Sequence, residues 1–404
     1  MKITDLLYER LISHIRSFSN SKMKVGVELE YPIVHKQAKN IEKNIIENLF
    51  KGLLKAGFKP LYSSKSQLIG AEKQNEIVIT LDTSYNNLEL AFVPQLSLLN
   101  IEKSLTYYLQ IIRNYLQANG YSLIDKGLNP DFASINSTLI DDEEIKAECN
   151  FLECFAPPNF HGHKDLFAFI SSSQTHLEIS LDKMPLALNV FSKLDFIETL
   201  LFANSKLDTP EGIYYSGRHY IYSRSAFQKA NLVGSIDEIV ETIDDIVELY
   251  AKKCLFLRYR DKWEFIKPIS LKDYFGENVH QAKAEDLNSF YSYCNTELKV
   301  YGTLERRGAC SQAFDNALAP SAFNLGLGIM IEAVEELLNK FFHDNKIIFS
   351  NNELCELSAK RNLDWIQHKK LNDLISAVLM MAEAGLKQRG YGEEKYIKNV
   401  GRFF

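Results

Sequence analysis

The sequence predicts an α+β fold built on a largely antiparallel sheet, and three observations point there. "NEIVITLD", the polar break "TSYNN" and "LELAFVP" read as strand, turn and strand. Elsewhere helical hairpins are separated by strands with hairpin turns, which favours α+β over a doubly wound sheet. Nothing resembles a Walker loop or a G-x-G-x-x-G fingerprint.

The elements follow in order. "MKITDLLYERLISHIRSF" has apolar residues at helical spacing with charges spread through it, an amphipathic helix and not a signal peptide. "MKVGVELEYPIV" is a strand. "KNIEKNIIENLFKGLLKAGF" is a helix that stops at a Gly. A long helix covers "QLSLLNIEKSLTYYLQIIRNYLQANG", and the short strand "YSLIDKGLNP" follows it. Residues from about 130 to 170 read as irregular, with Pro157, Pro158 and several Gly and His. "SSSQTHLEISL" is a strand, "MPLALNVFSKLDFIETLLFAN" a buried helix, and "YGTLERRGAC" a strand; from about 320 the chain is helical almost to its end. The expected organisation is a single domain over residues 1–404. It comprises an N-terminal helix (1–20), a sheet with covering helices (22–320) and a helical C-terminal region (321–404).

Composition narrows the class. Apolar residues make up 46% of the 404, which fits a folded globular chain. The net charge of −6 gives no support for wholesale binding of nucleic acid or an anionic membrane. No apolar run approaches the roughly 20 residues that span a bilayer. The six cysteines are scattered, as expected of reduced thiols in a cytoplasmic protein.

Four strand-like segments set acids or a histidine against aliphatic neighbours. In "VGVELEYPIV", Glu28 and Glu30 share one face and Val25, Val27 and Leu29 the other. Asp82 sits at the entry of the "TSYNN" turn and Glu89 in the strand after it. In "QTHLEIS", His176 and Glu178 share a face. In "GTLERRG", Glu305 and Arg307 share a face, and Leu304 and Arg306 take the other. Each alone matches a strand with its polar face in water. Together, in one sheet, the carboxylates converge and need neutralising, a task suited to Mg2+ or Mn2+. Such a metal floor commonly holds triphosphate oxygens, with arginine stabilising a transferring phosphoryl group. Arg307 fits that role. Arg218, in "YYSGRHYIYSRS", is a second candidate, although an exposed loop arginine would read the same.

"VGVELEY", "ITLDTSYNNLELAFVP", "DKGLNPDF", "LLFANSKL", "SGRHYIY", "GTLERRGACS" and "MAEAGLKQRGYGEEKYI" occur in the order of the glutamate–cysteine ligase family, which the chain resembles from about residue 23 to 397. The resemblance implies a curved antiparallel funnel similar to the catalytic domain of glutamine synthetase. It implies ATP and Mg2+ (or Mn2+), with glutamate activated as an acyl phosphate and captured by the amine of cysteine. It makes Glu28, Glu30, Asp82, Glu89, His176 and Glu305 the metal ligands, and Arg307 and Arg218 the contacts to phosphate or substrate. The implied partners are small amino acids, with no nucleic acid and no membrane.

The chain departs from the family at several points. Asp82-Thr83-Ser84-Tyr85-Asn86-Asn87 stands where many plant-type members have Glu-Pro-Gly-Gly, Cys310 where they have Asp, and His-x-Glu where relatives have His-x-Asn, His-x-His or Thr-x-Gln. These changes bear on the acceptor, so the alternatives are the same acyl-phosphate chemistry on another amine or carboxylate, and a non-catalytic binding protein. Cys149, Cys154, His161 and His163 have zinc-like spacing within the irregular stretch. Cys310 is not expected to be a nucleophile, since ligation through an acyl phosphate needs none; its place beside two arginines can nonetheless lower a thiol pKa, which makes alkylation sensitivity worth testing. Glu28→Gln and Glu305→Gln are each expected to abolish ligation and relieve repulsion, with little loss of folding.

Overall fold

The computed structural model describes residues 2–15, 23–155, 166–276, 282–364 and 366–400. Its centre is a nine-stranded sheet. In chain order the strands are β1 (Val25–His35), β2 (Lys59–Tyr62), β3 (Leu68–Lys73), β4 (Ile77–Leu81), β5 (Asn87–Gln95), β6 (Tyr121–Leu123), β7 (Ser173–Leu177), β8 (Thr296–Leu298) and β9 (Leu304–Arg306). They lie side by side as β8-β9-β7-β1-β5-β4-β3-β2, with β6 added along the far end of β1. Every pairing is antiparallel, so the α+β expectation holds. The edge hairpin β2–β3 falls in a stretch whose strand pattern the sequence reading passed over.

Alternation decides which side of the sheet is dry. Val25, Val27, Leu29 and Tyr31 on β1, Leu88, Leu90 and Phe92 on β5, and Leu177 on β7 are all buried on one face. The helices begin with α1 (Ile3–Leu7), which continues as a widened turn over Tyr8–Ile12. They continue with α2 (Lys43–Lys55), α3 (Leu98–Ala118), α4 (Glu143–Phe155), α5 (Met184–Leu201), α6 (Gly217–Ser223), α7 (Ala319–Ile329) and α8 (His368–Arg389). Helix α7 is buried along its whole length and packs against β7. Among the described residues no single helix is long and apolar enough to cross a membrane.

Helix α4 corrects the reading of 130–170 as irregular. Glu143 and Glu144 sit in its first turn, where acids suit the helix dipole, and the Glu144 N–H donates to Asp142 at 2.8 Å. Ala147, Phe151 and Leu152 give it a buried face, with the Phe151 ring 4.5 Å from Phe256. Of the four residues with zinc-like spacing, His161 and His163 lie outside the described residues. Cys149 is buried and Cys154 exposed on the same helix.

A polar clamp sits beneath the sheet. Arg306 is fully buried on the face opposite Glu305, with Nη1 2.5 Å from Asp195 and Nη2 2.5 Å from Glu198, both on α5. Asn324 of α7 accepts from Arg306 Nε at 3.2 Å and donates to Glu198 at 2.7 Å. A buried guanidinium with this many partners locks strand to helix, because each group left alone would be an uncompensated buried charge.

The helices under the sheet touch backbone to backbone. A Cβ on Gly385 of α8 would stand 2.1 Å from the Gly326 carbonyl oxygen, and one on Gly326 would stand 2.2 Å from that of Ala382. Gly385→Ala is therefore expected to destabilise the fold by about 1–3 kcal/mol. Gly52→Ala, on the exposed side of α2 with nothing within 4 Å, is expected to stabilise it by roughly 0.5–1 kcal/mol. Urea unfolding of both variants checks the contrast.

Candidate functional site

The face of the sheet opposite the aliphatic row is lined with acids. Register places Glu89 across from Glu30, Gln174 across from Glu28, and His176 between Gly26 and Glu305. These residues therefore project from the same side of four adjacent strands. Gly26 makes room: a Cβ there would already approach His176 Cβ to 3.2 Å. The imidazole leans across this gap, its Nε2 3.0 Å from Glu28 Oε1 and 3.4 Å from Glu305 Oε1. Its Nδ1 lies 3.3 Å from Thr303 Oγ1, which orients the ring.

A cavity of about 300 Å3 opens over this face. All eight residues singled out from the sequence line it: Glu28, Glu30, Asp82, Glu89, His176, Glu305, Arg218 and Arg307. They do not form one coordination shell. Among the described residues, the ligand atoms of Glu28, His176 and Glu305 lie within 4.8 Å of one another. Glu30 is instead held by the protein, with Ser172 N–H donating to Oε2 at 2.7 Å and Gln174 Nε2 to Oε1 at 2.6 Å. Asp82 and Glu89 stand further along the same face. Glu178 lies beyond the end of β7 and accepts from the Lys24 N–H at 3.2 Å.

Arg218 is buried, not an exposed loop arginine. It lies on α6, where its Nη1 donates to the Ala309 carbonyl at 3.0 Å and both terminal nitrogens reach the Arg307 carbonyl. Its Nε has no partner among the described residues. Cys310 is fully buried, its Sγ 3.1 Å from Ser205 Oγ, and is not among the lining residues of this cavity. Burial shields this thiol from alkylating reagents. Its position also places the Asp-to-Cys departure outside the lining of this cavity.

Sequence reasoning missed Lys299, Tyr222, Tyr293 and Glu148, which also line the cavity. Tyr222 closes the "SGRHYIY" segment, where only Arg218 was singled out; Lys299 and Tyr293 are single residues in segments without a motif. Glu148 had a signal: "DDEEIKAECNFLECF" has an acidic helix start followed by apolar residues at helical spacing.

The electrostatics are unbalanced. Six carboxylates line the space (Glu28, Glu30, Asp82, Glu89, Glu148 and Glu305) against three permanent cations, Arg218, Lys299 and Arg307. Burial, then Glu30 and Glu148, push Asp82 up to about 7. Burial, then Glu28 and Asp82, push Glu89 well above the carboxylate range. Burial also raises Glu30, although Arg218 and Arg307 oppose it. Glu305 goes the other way. Burial raises it, but Arg307, Lys299 and His176 together outweigh that and hold it at about 2. Lys299 Nζ and Arg307 Nη1 lie 3.3 and 3.2 Å from its Oε2. The donor set of carboxylates with one oriented imidazole fits a hard divalent cation such as Mg2+ or Mn2+.

A second cavity of about 490 Å3 shares a wall with the first, formed by Arg218, Tyr222, Tyr293 and Arg307. It is further lined by His219, Arg224, Asn352 and Glu356.

No protein-family model and no curated protein matches the sequence. Among solved structures the fold is similar to a bifunctional glutathione synthetase from Pasteurella multocida, at 14% identity and TM-score 0.47, over 94% of this chain and 47% of that one. It is also similar to a glutamate–cysteine ligase from Francisella tularensis in complex with AMP, at 13% identity and TM-score 0.45, over 93% and 80%. A third is PafA, the ligase of the ubiquitin-like protein Pup, at 10% identity and TM-score 0.41, over 93% and 65%. The chain thus spans about half the length of the first of these.

Two outcomes follow from the charges. A carboxyl whose folded pKa is raised favours the protonated fold, so its penalty on stability grows as pH rises from the ordinary carboxylate range towards the folded value. Asp82, at about 7, thus disfavours the metal-free fold most above neutrality. Mn2+ or Mg2+ should accordingly raise the melting temperature more at about pH 8 than at about pH 6, where protons compete. The expectation that Glu305→Gln relieves repulsion is also corrected. Glu305 is itself buried and is the counter-ion of half-buried Arg307 and of Lys299, so losing it should destabilise the fold, by about 1–3 kcal/mol. Glu28→Gln, at the more open end, should not; thermal unfolding of the two variants separates them.

Proposed function

We propose that this protein is an ATP-dependent carboxylate–amine ligase, joining the side-chain carboxylate of glutamate to the amine of cysteine through an acyl phosphate. The observation that carries the reading is the surplus of carboxylates, gathered from three strands of the sheet, the turn after β4 and helix α4, beside buried Arg218 and half-buried Arg307 in one cavity. Unpaired acids at this density are costly unless a cation joins them. A cavity that holds cations and guanidinium groups together suits phosphoryl transfer, which is mostly positioning and charge neutralisation.

In this reading the glutamate carboxylate attacks the γ-phosphorus of ATP, and the bond to the bridging oxygen breaks to release ADP. The acceptor nitrogen then attacks the acyl carbon, and the C–O bond breaks to release phosphate. A divalent cation held by Glu28, His176 and Glu305, with Glu30, Asp82 and Glu89 alongside, would neutralise phosphate oxygens. Arg307 and Arg218 present guanidinium groups from the wall shared by the two cavities. Their planar forks match phosphate oxygens better than an ammonium does. The pairing of Glu305 with Arg307 and Lys299 keeps that carboxylate ionised at any working pH.

A second reading keeps the chemistry and changes the acceptor. Glu148 and the aromatic residues Phe167, Tyr222 and Tyr293 favour it, since they add contacts beyond the acid face. ADP release measured with ATP, Mg2+, glutamate and a panel of amines tests both. Turnover that requires glutamate and rises with cysteine supports the first reading. Turnover that rises only with another amine supports the second. No ADP release with any pair overturns ligation altogether. Glu28→Gln and Arg307→Lys should each lower ADP release by about 10²-fold or more.

A further inference from the structure

The cavity has two unlike ends. At one, Glu28, His176 and Glu305 face one another among sheet residues. The other is aromatic: Phe167 lies 5.0 Å from Tyr222, and Tyr222 stacks on Tyr293 at 6.1 Å, measured between ring centroids. Into this end comes one carboxylate that does not belong to the sheet. Glu148 projects from α4, is half-buried, and accepts a hydrogen bond from the Tyr293 hydroxyl.

We propose that Glu148 is the acceptor-amine residue of the site: it binds the acceptor's ammonium group against the aromatic rings and takes one proton from it. This rests on the ligase reading above and adds to it a substrate class, a primary amine whose carbon skeleton packs on Phe167, Tyr222 and Tyr293.

Three features support the role. An amine nucleophile arrives at neutral pH as an ammonium ion, which has no lone pair to attack with. It needs a base inside the cavity, and a useful base has a pKa near the working pH. Burial pushes Glu148 up to about 7, with the Tyr293 hydrogen bond pulling it down and Glu144 pushing it up. The groups that act on it are Tyr291 and Tyr293 on the neighbouring segment, Glu144 one turn back on α4, and Asp82; Glu148 in turn raises the pKa values of Tyr291 and Asp82. Last, aromatic faces attract an organic cation.

The step balances. Glu148 carboxylate and the ammonium give Glu148 carboxylic acid and the free amine. The amine lone pair forms the bond to the acyl carbon, and the C–O bond breaks with its electrons on phosphate. The second nitrogen-bound proton leaves with the phosphate.

Hydroxylamine provides the test, because it is uncharged at neutral pH and captures an acyl phosphate without a base. Wild-type protein and Glu148→Gln are assayed with ATP, Mg2+ and glutamate, with either hydroxylamine or the best amine from the panel. The expected result is a loss of amide formation of about 10²-fold or more in the variant, with hydroxamate formation within a few-fold of wild type. The acceptor KM should rise while that for ATP stays. Tyr293→Phe, which removes the bond that lowers Glu148, should shift the acidic limb of the amine pH profile upward. Equal losses with both nucleophiles would overturn the proposal and place Glu148 in the fold or the metal site. Unchanged amide formation would also overturn it. Absence of hydroxamate in the wild type would instead defeat the ligase reading, and the proposal with it.

Discussion

The site depends on the clamp beneath it. Arg306 reaches down from β9 to Asp195 and Glu198 on α5, and Asn324 on α7 closes the network. Because neighbouring residues of a strand point to opposite faces, fixing Arg306 below fixes Glu305 above, and Arg307 follows it. The strand is three residues long and would be weakly held by its ladder alone. A fully buried guanidinium with carboxylate partners is worth little as net stability, but removing either side is severe, and that asymmetry suits a positioning device.

The upper face carries the opposite strategy. Below the sheet Arg306 is matched by Asp195 and Glu198; above it the acids outnumber the cations. The protein holds this imbalance by raising the pKa values of Asp82 and Glu89, and by spending two backbone and side-chain donors on Glu30. A rigid, dry apolar layer underneath makes the strain tolerable, since the strands cannot turn their acids away without exposing Val27, Leu29 and Leu90.

Much of this was legible in the sequence because alternation with period two is a strong signal. Glu28 and Glu30 between valines and leucines announce their face, and the same pattern gives Glu89 and Glu305. Arg306 was assigned to the face opposite Glu305, but its partners on α5 are distant in sequence and gave no local sign. What stayed hidden has physical causes. Strand β2 is mostly exposed, and the buried positions of β3 are Gly70 and Ala71, so the hairpin lacks a row of large apolar side chains. Glu148 sits in a helix whose flanking prolines and glycines suggested a loop. Tyr293 and Lys299 belong to the cavity only through tertiary packing, which no short pattern records.

Strand β1 is paired along both edges, to β7 on one side and β5 on the other. Losing or gaining a single residue ahead of Glu28 would exchange its two rows at once, driving carboxylates into the aliphatic layer and valines into the acid-lined cavity. Substitutions there sample one side chain at a time, whereas a change in chain length scrambles them all. The spacing between Val25 and Glu30 is therefore under tighter constraint than the identity of any residue within it.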